Sequence, residues 1–473
     1  MSSALDLDRE TMRRLGHRVA DFVADHLASL RDQPAWRPLG RAAAEASIAG
    51  PAPERGEDFE ALLAFLSERV FPYAVREPHP GFVAYVPGCP TFPAVLGDWL
   101  AAGHNFFAGV WSVAGGPNQL ELTVLDWFRE WLGMPRGSGG LLTSGGSAAT
   151  LTAMIAAREA AVGDDSSRLA RLAVYVSDQA HSACVRAAWI AGVPRAQVRV
   201  LPSDSGFRLP VDALVEAVRA DRAAGLIPLM AVASAGTTNT GAVDPLDGLA
   251  DACEAEGVWL HVDAAFGGFA VLTERGRRAL AGIGRADSVT LDPHKWLFTP
   301  FECGSLLVRD PARLRGAFQV MPDYLRDVEA RTGEVNFADY GEQLTRYARA
   351  LKVWLGVRYY GVAELRRAID GGIDRALLAE RLVRVRPELE VLAPATLAVL
   401  CFRARPRAGE DADALNERIL AAVNAAGRHF ISSTRIGGAF SLRICPIGYR
   451  TTDEDIERLV GEIVELAGSR AAD

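Results

Sequence analysis

The fold and the chemistry of this 473-residue chain are decided by Ser288-Val-Thr-Leu-Asp-Pro-His-Lys-Trp296. Residues 288–291 predict a short buried strand, and Lys295 follows it between a histidine and a tryptophan. An ammonium group in a dry, aromatic-flanked site loses hydration, so its pKa falls and the neutral amine becomes a nucleophile. We therefore predict that Lys295 has a lowered pKa and forms a Schiff base with an aldehyde. The alternative is an ordinary surface lysine.

An acidic residue lies upstream of this lysine, at the end of the apolar run in His261-Val-Asp-Ala-Ala265. A carboxylate there would pair with a protonated pyridine nitrogen. A lysine that binds the aldehyde and an acid that binds the pyridine nitrogen are the pair of contacts expected for pyridoxal 5'-phosphate, which we predict as the cofactor. Taken alone, Asp263 is also compatible with a helix N-cap.

The composition is typical of a globular enzyme. Hydrophobic residues make up 49% of the chain, charged residues 23%, and the formal net charge is −8. No basic stripe interleaved with aromatic residues indicates a nucleic-acid partner. The longest apolar run, 226–235, is half of what a membrane-spanning helix needs. Because the polar N-terminus lacks the apolar stretch of a signal peptide, we expect a cytoplasmic protein.

Cysteine and histidine spacing argues against disulfides and metals. The six cysteines lie far apart without a CxxC pair, so we expect reduced thiols rather than a disulfide or zinc framework. The eight histidines show no i, i+4 pair on a predicted helix. We therefore expect no metal site.

Three regions that differ in predicted secondary structure follow one another along the chain. Residues 1–80 predict a helical arm, residues 81–360 alternate strands with helices, and residues 361–473 predict a small α+β domain. The central strands are almost continuously apolar, which indicates an α/β fold with a mostly parallel sheet covered on both faces. Ligands in such sheets bind outside the carboxyl ends of strands, where Asp263 and Lys295 fall.

The two end regions carry weaker signals. The N-terminal arm has little core of its own, so it packs either on a second subunit or on its own chain. In the C-terminal region we predict a pair of strands around Pro394 within residues 389–402. Thr452 and Asp455 are spaced for a capping box at the start of the last helix.

Three polar segments follow predicted strands. The glycines of Thr143-Ser-Gly-Gly-Ser-Ala-Ala-Thr150 let backbone N–H groups approach a phosphate at a helix N-terminus, although an ordinary glycine-rich cap has the same pattern. The turn Ala235-Gly-Thr-Thr-Asn-Thr-Gly241 presents further hydroxyls, or is only a turn. The imidazole of His181 would stack on a flat cofactor ring; the alternative is a structural histidine.

Five motifs occur in a fixed order along the chain. They are Thr143-Ser-Gly-Gly-Ser147, Asp178-Gln-Ala-His-Ser182, Gly236-Thr-Thr238, His261-Val-Asp-Ala-Ala265 and Asp292-Pro-His-Lys-Trp296. This order resembles the group II pyridoxal-phosphate decarboxylases, and within them the aromatic-L-amino-acid decarboxylase branch. His79-Pro-Gly-Phe-Val-Ala-Tyr85 and Leu120-Glu-Leu-Thr-Val-Leu-Asp-Trp127 extend the resemblance to the whole chain. It implies fold type I with a seven-stranded central sheet, and a homodimer with shared active sites.

The resemblance also implies roles for individual residues. Lys295 would hold the cofactor covalently, and Asp263 would keep its pyridine nitrogen protonated. His181 would stack on one face of the ring and Ala265 on the other. The phosphate, the lysine and the ring substituents would be surrounded by Gly145, Gly146, Ser147, Thr238 and His294. Asp292 stands where animal members of the branch have asparagine.

One tyrosine decides the product. In the family, a tyrosine on a loop after the lysine strand protonates the former α-carbon once CO2 has left. Met321-Pro-Asp-Tyr-Leu325 matches this loop, which assigns that role to Tyr324, and polar residues 326–337 suit a lid. The resemblance therefore implies that an L-amino acid is converted to a primary amine and CO2.

The substrate is expected to be aromatic, namely tryptophan, tyrosine, phenylalanine or dopa. The apolar side chains proposed for its pocket are Phe82, Tyr85, Pro87, Phe107, Trp111 and Phe301. No arginine or lysine in this set would bind a side-chain carboxylate, which argues against glutamate. Gly109 replaces a phenylalanine of animal members, which either enlarges the pocket for an indole or indicates another substrate.

Other functions on the same sequence are open. An aldehyde synthase would release ammonia and peroxide with CO2, and a related decarboxylase would take an acidic or aliphatic substrate. An aminotransferase would need an arginine for the substrate carboxylate, for which Arg443 is available. A non-catalytic scaffold would be expected to have lost Lys295 or Asp263.

Replacing Tyr324 with phenylalanine tests the assigned proton donor. Without the phenol, protonation of the former α-carbon slows, and the product is expected to shift from amine towards aldehyde. Mass spectrometry of the products, with a parallel peroxide assay, measures this shift. An unchanged amine yield would remove Tyr324 from the role.

Overall fold

A seven-stranded sheet forms the centre of the computed structural model, which describes residues 5–320 and 331–469. Its strands are β1 (Gly139–Thr143), β2 (Leu172–Ser177), β3 (Val198–Leu201), β4 (Ile227–Ser234), β5 (Trp259–Asp263), β6 (Ser288–Leu291) and β7 (Gly304–Val308). They lie in the order β1-β7-β6-β5-β4-β2-β3. Within this sheet only β7 runs in the opposite direction, so its pairs with β1 and β6 are antiparallel and the other pairs are parallel. The predicted mostly parallel α/β sheet is confirmed.

The sheet is the core of the molecule because its strands are apolar on both faces. Every residue of β2, β6 and β7 is buried. The helices around the sheet include α4 (Phe92–His104), α5 (Trp111–Leu132), α6 (Gly146–Val162), α7 (Ser182–Ile190), α8 (Val211–Ala223), α9 (Leu246–Glu256), α10 (Glu274–Ala279), α11 (Pro293–Trp296) and α12 (Ala312–Phe318). Parallel strands of this kind need cover on both sides, which the helices supply.

The N-terminal arm consists of helices α1 (Arg9–Ala28), α2 (Arg41–Ile48) and α3 (Phe59–Arg69). Asp8 caps α1 by accepting a hydrogen bond from the backbone N–H of Thr11. None of the residues 9–28 is buried, although α1 carries apolar residues on one side. The Arg18 guanidinium binds the Glu60 carboxylate at 2.9 Å and so joins α1 to α3. The arm therefore leaves apolar surface exposed.

The C-terminal region contains a second sheet with strand order β10-β11-β9-β8. Its elements are α13 (Ala350–Arg384), β8 (Leu389–Thr396), β9 (Val399–Ala404), α14 (Ala412–Ala426), β10 (Ser432–Ile436), β11 (Ala439–Ile444) and α15 (Asp453–Gly468). The strand pair is confirmed, but its turn falls at Leu397 and Ala398 instead of Pro394, because Pro394 lies inside β8. The capping box of Thr452 and Asp455 is confirmed.

One long helix crosses the boundary that the sequence predicts between residues 360 and 361. Helix α13 is kinked at Gly361, whose φ of 76° places it in the left-handed region that favours glycine. Residues before the kink pack on α4, and residues after it pack on the second sheet. The domain boundaries at 80/81 and 360/361 stay predictions.

All six cysteines are buried and none is in a disulfide. Burial raises the pKa of Cys303 and Cys445 to about 12 and that of Cys401 to about 11. Within residues 5–320 and 331–469, no helix has both the length and the apolar character needed to cross a bilayer. In the same residues, no three metal-binding side chains come together.

Candidate active site

The site lies where β4, β5 and β6 end. Ser234, Asp263 and Thr290 are paired in register across these three parallel strands. Asp263 is the last residue of β5, and the chain leaves β6 through Asp292 into the short helix α11 that carries Lys295. Because parallel strands end at one edge of a sheet, the two residues that sequence singled out lie at the same edge.

Lys295 is held by a carboxylate three residues earlier. Its Nζ lies 2.8 Å from Oδ2 of Asp292, and its side chain is 25% exposed. Burial disfavours the ammonium form, but the carboxylates of Asp292 and Asp263 outweigh burial and raise the pKa of Lys295 above its ordinary value. The expectation of a lowered pKa is therefore wrong, because aromatic flanks alone do not show which charges face the amine.

His294 and Asp292 complete a three-residue cluster with Lys295. His294 Nε2 lies 3.5 Å from Oδ2 of Asp292, and His294 Nδ1 accepts a hydrogen bond from the backbone N–H of Cys303. Burial lowers the pKa of His294, so the neutral ring carries its proton on Nε2, facing the carboxylate. Among the described residues, the buried Oδ1 of Asp292 has no hydrogen-bond partner.

Asp263 is fixed by two donors of its own chain. The backbone N–H of Ala265 donates to Oδ1 at 3.1 Å, and the Cys184 thiol lies 3.6 Å from Oδ2. Cys184 belongs to α7, which follows His181. The carboxylate is thus oriented by the strand end beneath it and by the helix beside it.

The glycine segment approaches this cluster closely. A Cβ on Gly146 would lie 3.0 Å from the Cβ of Ala265 and 3.2 Å from Oδ2 of Asp292, and a Cβ on Gly145 would lie 3.3 Å from Cε1 of His294. Gly146 begins the 17-residue helix α6 directly after β1. The N-terminus of this helix therefore lies next to the lysine neighbourhood, which is where a phosphate cradle is expected.

His181 and Thr238 lie on the turns that follow β2 and β4. His181 caps α7: its Nδ1 accepts a hydrogen bond from the backbone N–H of Ala183, so the proton is on Nε2. The Asn239 amide donates to Gln179 and joins the two turns. The Thr238 carbonyl accepts from Nε of Arg443 at 2.9 Å.

Arg443 holds together the segments around the site. It is buried, and Nη1 donates to the Tyr85 carbonyl at 2.6 Å, while Nε donates to the carbonyls of Thr238 and Asn239. The sequence offered this arginine only as a substrate ligand for an aminotransferase. Its side-chain donors to backbone carbonyls give it a structural function that no sequence pattern indicated.

The proposed pocket residues separate into different environments. Phe301 contacts His294 with ring centroids 4.9 Å apart, and Tyr85 is exposed. Phe82 is buried and stacks on Phe430, with ring centroids 5.6 Å apart, in a cluster that includes Ala35 of the arm. These contacts place Phe301 beside the lysine segment and Phe82 in a packing cluster.

The remaining pocket residues are less directly connected with Lys295. The backbone N–H of Trp111, at the start of α5, donates to the side chain of Asn336. Phe107 lies before Gly109, and Pro87 follows the bend at residues 84–86. The pocket as a set stays a prediction, and Tyr324 lies outside the described residues.

The arrangement defines a pyridoxal 5'-phosphate enzyme of fold type I. A lysine amine, a carboxylate at the neighbouring strand end and a glycine-rich helix N-terminus converge within one edge of the sheet. Their chemistry fits the aldehyde, the pyridine nitrogen and the phosphate of that cofactor respectively.

Comparison with known proteins identifies the family. The profile of the pyridoxal-dependent decarboxylase conserved domain matches residues 44–405. An aromatic-L-amino-acid decarboxylase from Bacillus atrophaeus is 39% identical over 99% of this chain and 98% of its own. A phenylacetaldehyde synthase from Arabidopsis thaliana is 33% identical over 98% and 97%. The chain belongs to the pyridoxal-dependent decarboxylases.

A solved structure supports the same assignment. The crystal structure of Oryza sativa TDC with PLP and tryptamine superposes with a TM-score of 0.94, at 30% identity, over 99% of both chains. The whole chain thus shares its fold with a protein of known cofactor content.

Replacing Asp292 with asparagine tests the charge balance at Lys295. Loss of the carboxylate removes the main group that stabilises the ammonium, so the pKa of Lys295 falls and more amine is neutral at a given pH. Cofactor-depleted protein is expected to take up pyridoxal 5'-phosphate at lower pH, followed by visible absorbance. Asp287→Asn, which removes a carboxylate at the opposite end of β6, is the matched control. A midpoint that stays unchanged or rises in Asp292→Asn would contradict the assignment.

Proposed function

We propose that this enzyme removes the α-carboxylate of an aromatic L-amino acid and releases a primary amine and CO2. The observation that carries the proposal is the convergence of Lys295 and Asp263 in a chain whose residues 44–405 match the decarboxylase family. The name of the Bacillus atrophaeus relative supports an aromatic substrate.

The cofactor, when bound, supplies an electron-accepting ring that stabilises the electron pair left by the departing carboxylate. We assign its covalent attachment to Lys295, and the protonation of its pyridine nitrogen to Asp263. Its phosphate is assigned to Gly145, Gly146, Ser147 and His294, and its ring environment to His181, Ala265 and Thr238. The close approach of Gly146 to Ala265 supports this grouping.

The protein's own side chains hold the Lys295 amine in place and supply the proton donor. Asp292 accepts a hydrogen bond from the Lys295 ammonium and holds Nζ in place. The neutral His294 presents Nε2–H to the same carboxylate, which limits movement of the Asp292 side chain. We assign protonation of the former α-carbon to Tyr324 on sequence grounds.

Substrate choice is assigned to the aromatic surface beside the lysine segment. The Phe301 ring lies against His294, one residue from Lys295, and offers a flat apolar contact to an aromatic side chain. Arg443 directs Nε and Nη1 to backbone carbonyls. Two of its three guanidinium nitrogens are therefore engaged with the chain itself, while the buried Nη2 has no hydrogen-bond partner among the described residues.

An aldehyde synthase is the second candidate function. The phenylacetaldehyde synthase from Arabidopsis thaliana covers almost the same length of chain, so the scaffold is compatible with either outcome. The tyrosine at position 324 favours simple decarboxylation.

Product analysis decides between these functions. Purified, cofactor-loaded protein is incubated separately with tryptophan, tyrosine, phenylalanine, dopa and glutamate, and the products are identified by mass spectrometry. We expect tryptamine, tyramine, phenethylamine or dopamine, and no 4-aminobutyrate from glutamate. Lys295→Ala is the matched inactive variant, expected to lose both turnover and the visible cofactor absorbance. Aldehyde with peroxide would instead support the second function, and product from glutamate alone would contradict the aromatic substrate.

We also propose that the enzyme is a cytoplasmic homodimer. Met12 and Val19 are exposed on α1 and Leu7 is exposed just before it, and an apolar helix face of this kind is covered when a second subunit packs on it. The six unpaired cysteines are in keeping with a reducing compartment.

Sedimentation of the protein tests the dimer. The intact chain is expected to sediment as a dimer at assay concentration, and replacing Met12 and Val19 with glutamate is expected to shift it towards monomer. Glu10→Gln, an exposed change on the same helix, is the control. A fully active monomer in the unaltered chain would overturn the proposal.

A further inference from the structure

A buried lysine outside the cofactor site holds the segment 300–302. Lys352 lies in the first turn of α13, and its side chain is 2% exposed. Its Nζ donates to the carbonyls of Pro300 and Phe301 at 3.3 Å and of Glu302 at 3.2 Å. Three consecutive backbone carbonyls thus converge on one ammonium group.

This position is unfavourable for a cation unless its partners are in place. Burial removes the hydration of the ammonium, and the N-terminal turn of a helix carries partial positive charge. The carboxylate of Asp98, on α4, lies 3.0 Å from Nζ and balances the charge. Helix α4 reaches it because a Cβ at Gly97 would lie only 2.7 Å from the Lys352 Cα, a distance that glycine alone permits.

A second cationic side chain, on the residue immediately before α13, also contacts this segment. The buried Arg349 donates from Nη2 to the Glu302 carboxylate at 2.8 Å. Lys352 therefore holds the backbone of the segment, and Arg349 holds the side chain at its end.

The held segment contacts the lysine site at two points. The Phe301 ring lies 4.9 Å from the His294 ring, and the backbone N–H of Cys303 donates to Nδ1 of His294. The position of residues 300–303 therefore sets where an aromatic surface stands next to the Lys295 segment. The His294 contact also depends on that position.

We propose that Lys352 is a positioning residue for substrate: it holds residues 300–302 so that the Phe301 ring stays against His294 and lines the aromatic pocket. The proposal rests on the proposed function, because it assumes that the substrate side chain contacts Phe301. Lys352 itself takes no part in the chemistry.

Kinetics of Lys352→Met provide the first test. Loss of the ammonium frees three carbonyls, so the Phe301 ring is no longer held and substrate binding weakens. We expect KM for the preferred aromatic substrate to rise roughly tenfold while kcat changes by less than about threefold, the pattern of lost uniform binding. Lys352→Gln keeps an amide N–H donor, so its KM is expected to lie between the values of the unaltered protein and of Lys352→Met. It replaces Lys352→Met in this test if the methionine variant does not fold.

Two further variants separate positioning from general stability. Phe301→Leu removes the ring directly, and combining it with Lys352→Met is expected to add little to KM, because both changes act through one contact. Arg375→Met removes another cation of α13, one that donates to the carbonyls of Pro446 and Gly448. This control is expected to lower thermal stability without raising KM. Additive effects of Phe301→Leu and Lys352→Met would overturn the proposal, as would an unchanged KM in Lys352→Met alongside a raised KM in Phe301→Leu.

A readout without turnover keeps the inference separate from the proposed function. 4-Fluorophenylalanine is placed at position 301, and its ¹⁹F resonance is recorded in otherwise unaltered protein and in the Lys352 variants. One sharp resonance that becomes broad or multiple in Lys352→Met or Lys352→Gln supports the holding of the ring, even if aromatic amino acids prove not to be substrates. An identical resonance in all three proteins would overturn it.

Discussion

The hydrogen-bonded register of β4, β5 and β6 is the constraint on which the rest of this structure depends. Ser234, Asp263 and Thr290 stand side by side because the three strands are parallel and end together. A shift of one residue in β5 would turn the Asp263 side chain to the other face of the sheet. The site can therefore be built from residues distant in sequence, provided that the buried strands keep their register.

The charges around Lys295 differ from those around a buried lysine that has no charged neighbour. An ammonium, a neutral imidazole and a carboxylate lie within one turn of chain, and a second carboxylate closes the adjacent strand. The ammonium is thus stabilised by neighbours while burial opposes it. Burial alone therefore does not deprotonate the Lys295 amine.

The sequence predicted the sheet, the strand-end positions of Asp263 and Lys295 and the capping box, because each follows from local periodicity or spacing. Asp292 was noted only as a replacement for the asparagine of animal members, because its contact with Nζ of Lys295 depends on the side-chain rotamers of a short helix. Arg443 and Lys352 left no local signal. Their partners are backbone carbonyls of segments far away in the chain. Because every residue has a backbone carbonyl, the sequence does not indicate which carbonyls these side chains will bind.

The same limit applies to the aromatic residues. Phe82 and Phe301 look alike in sequence, but one stacks on Phe430 in a closed cluster and the other lies beside His294. The difference arises from the packing of the N-terminal arm and the C-terminal sheet around residues 80–85. Only tertiary structure separates a packing ring from one available to a ligand.

Because all six thiols are buried, their reaction with a labelling reagent reports local opening of the structure around each of them. Thiolate is the species that reacts with alkylating and oxidising agents, and burial holds the pKa of these groups above the ordinary value. Labelling therefore proceeds through transient exposure, at a rate set by the free energy of opening around each sulfur. Cys184 beside Asp263, Cys401 in β9 and Cys253 in α9 lie in separate parts of the fold. Mass mapping of their alkylation would rank those parts by resistance to unfolding, with no introduced probe.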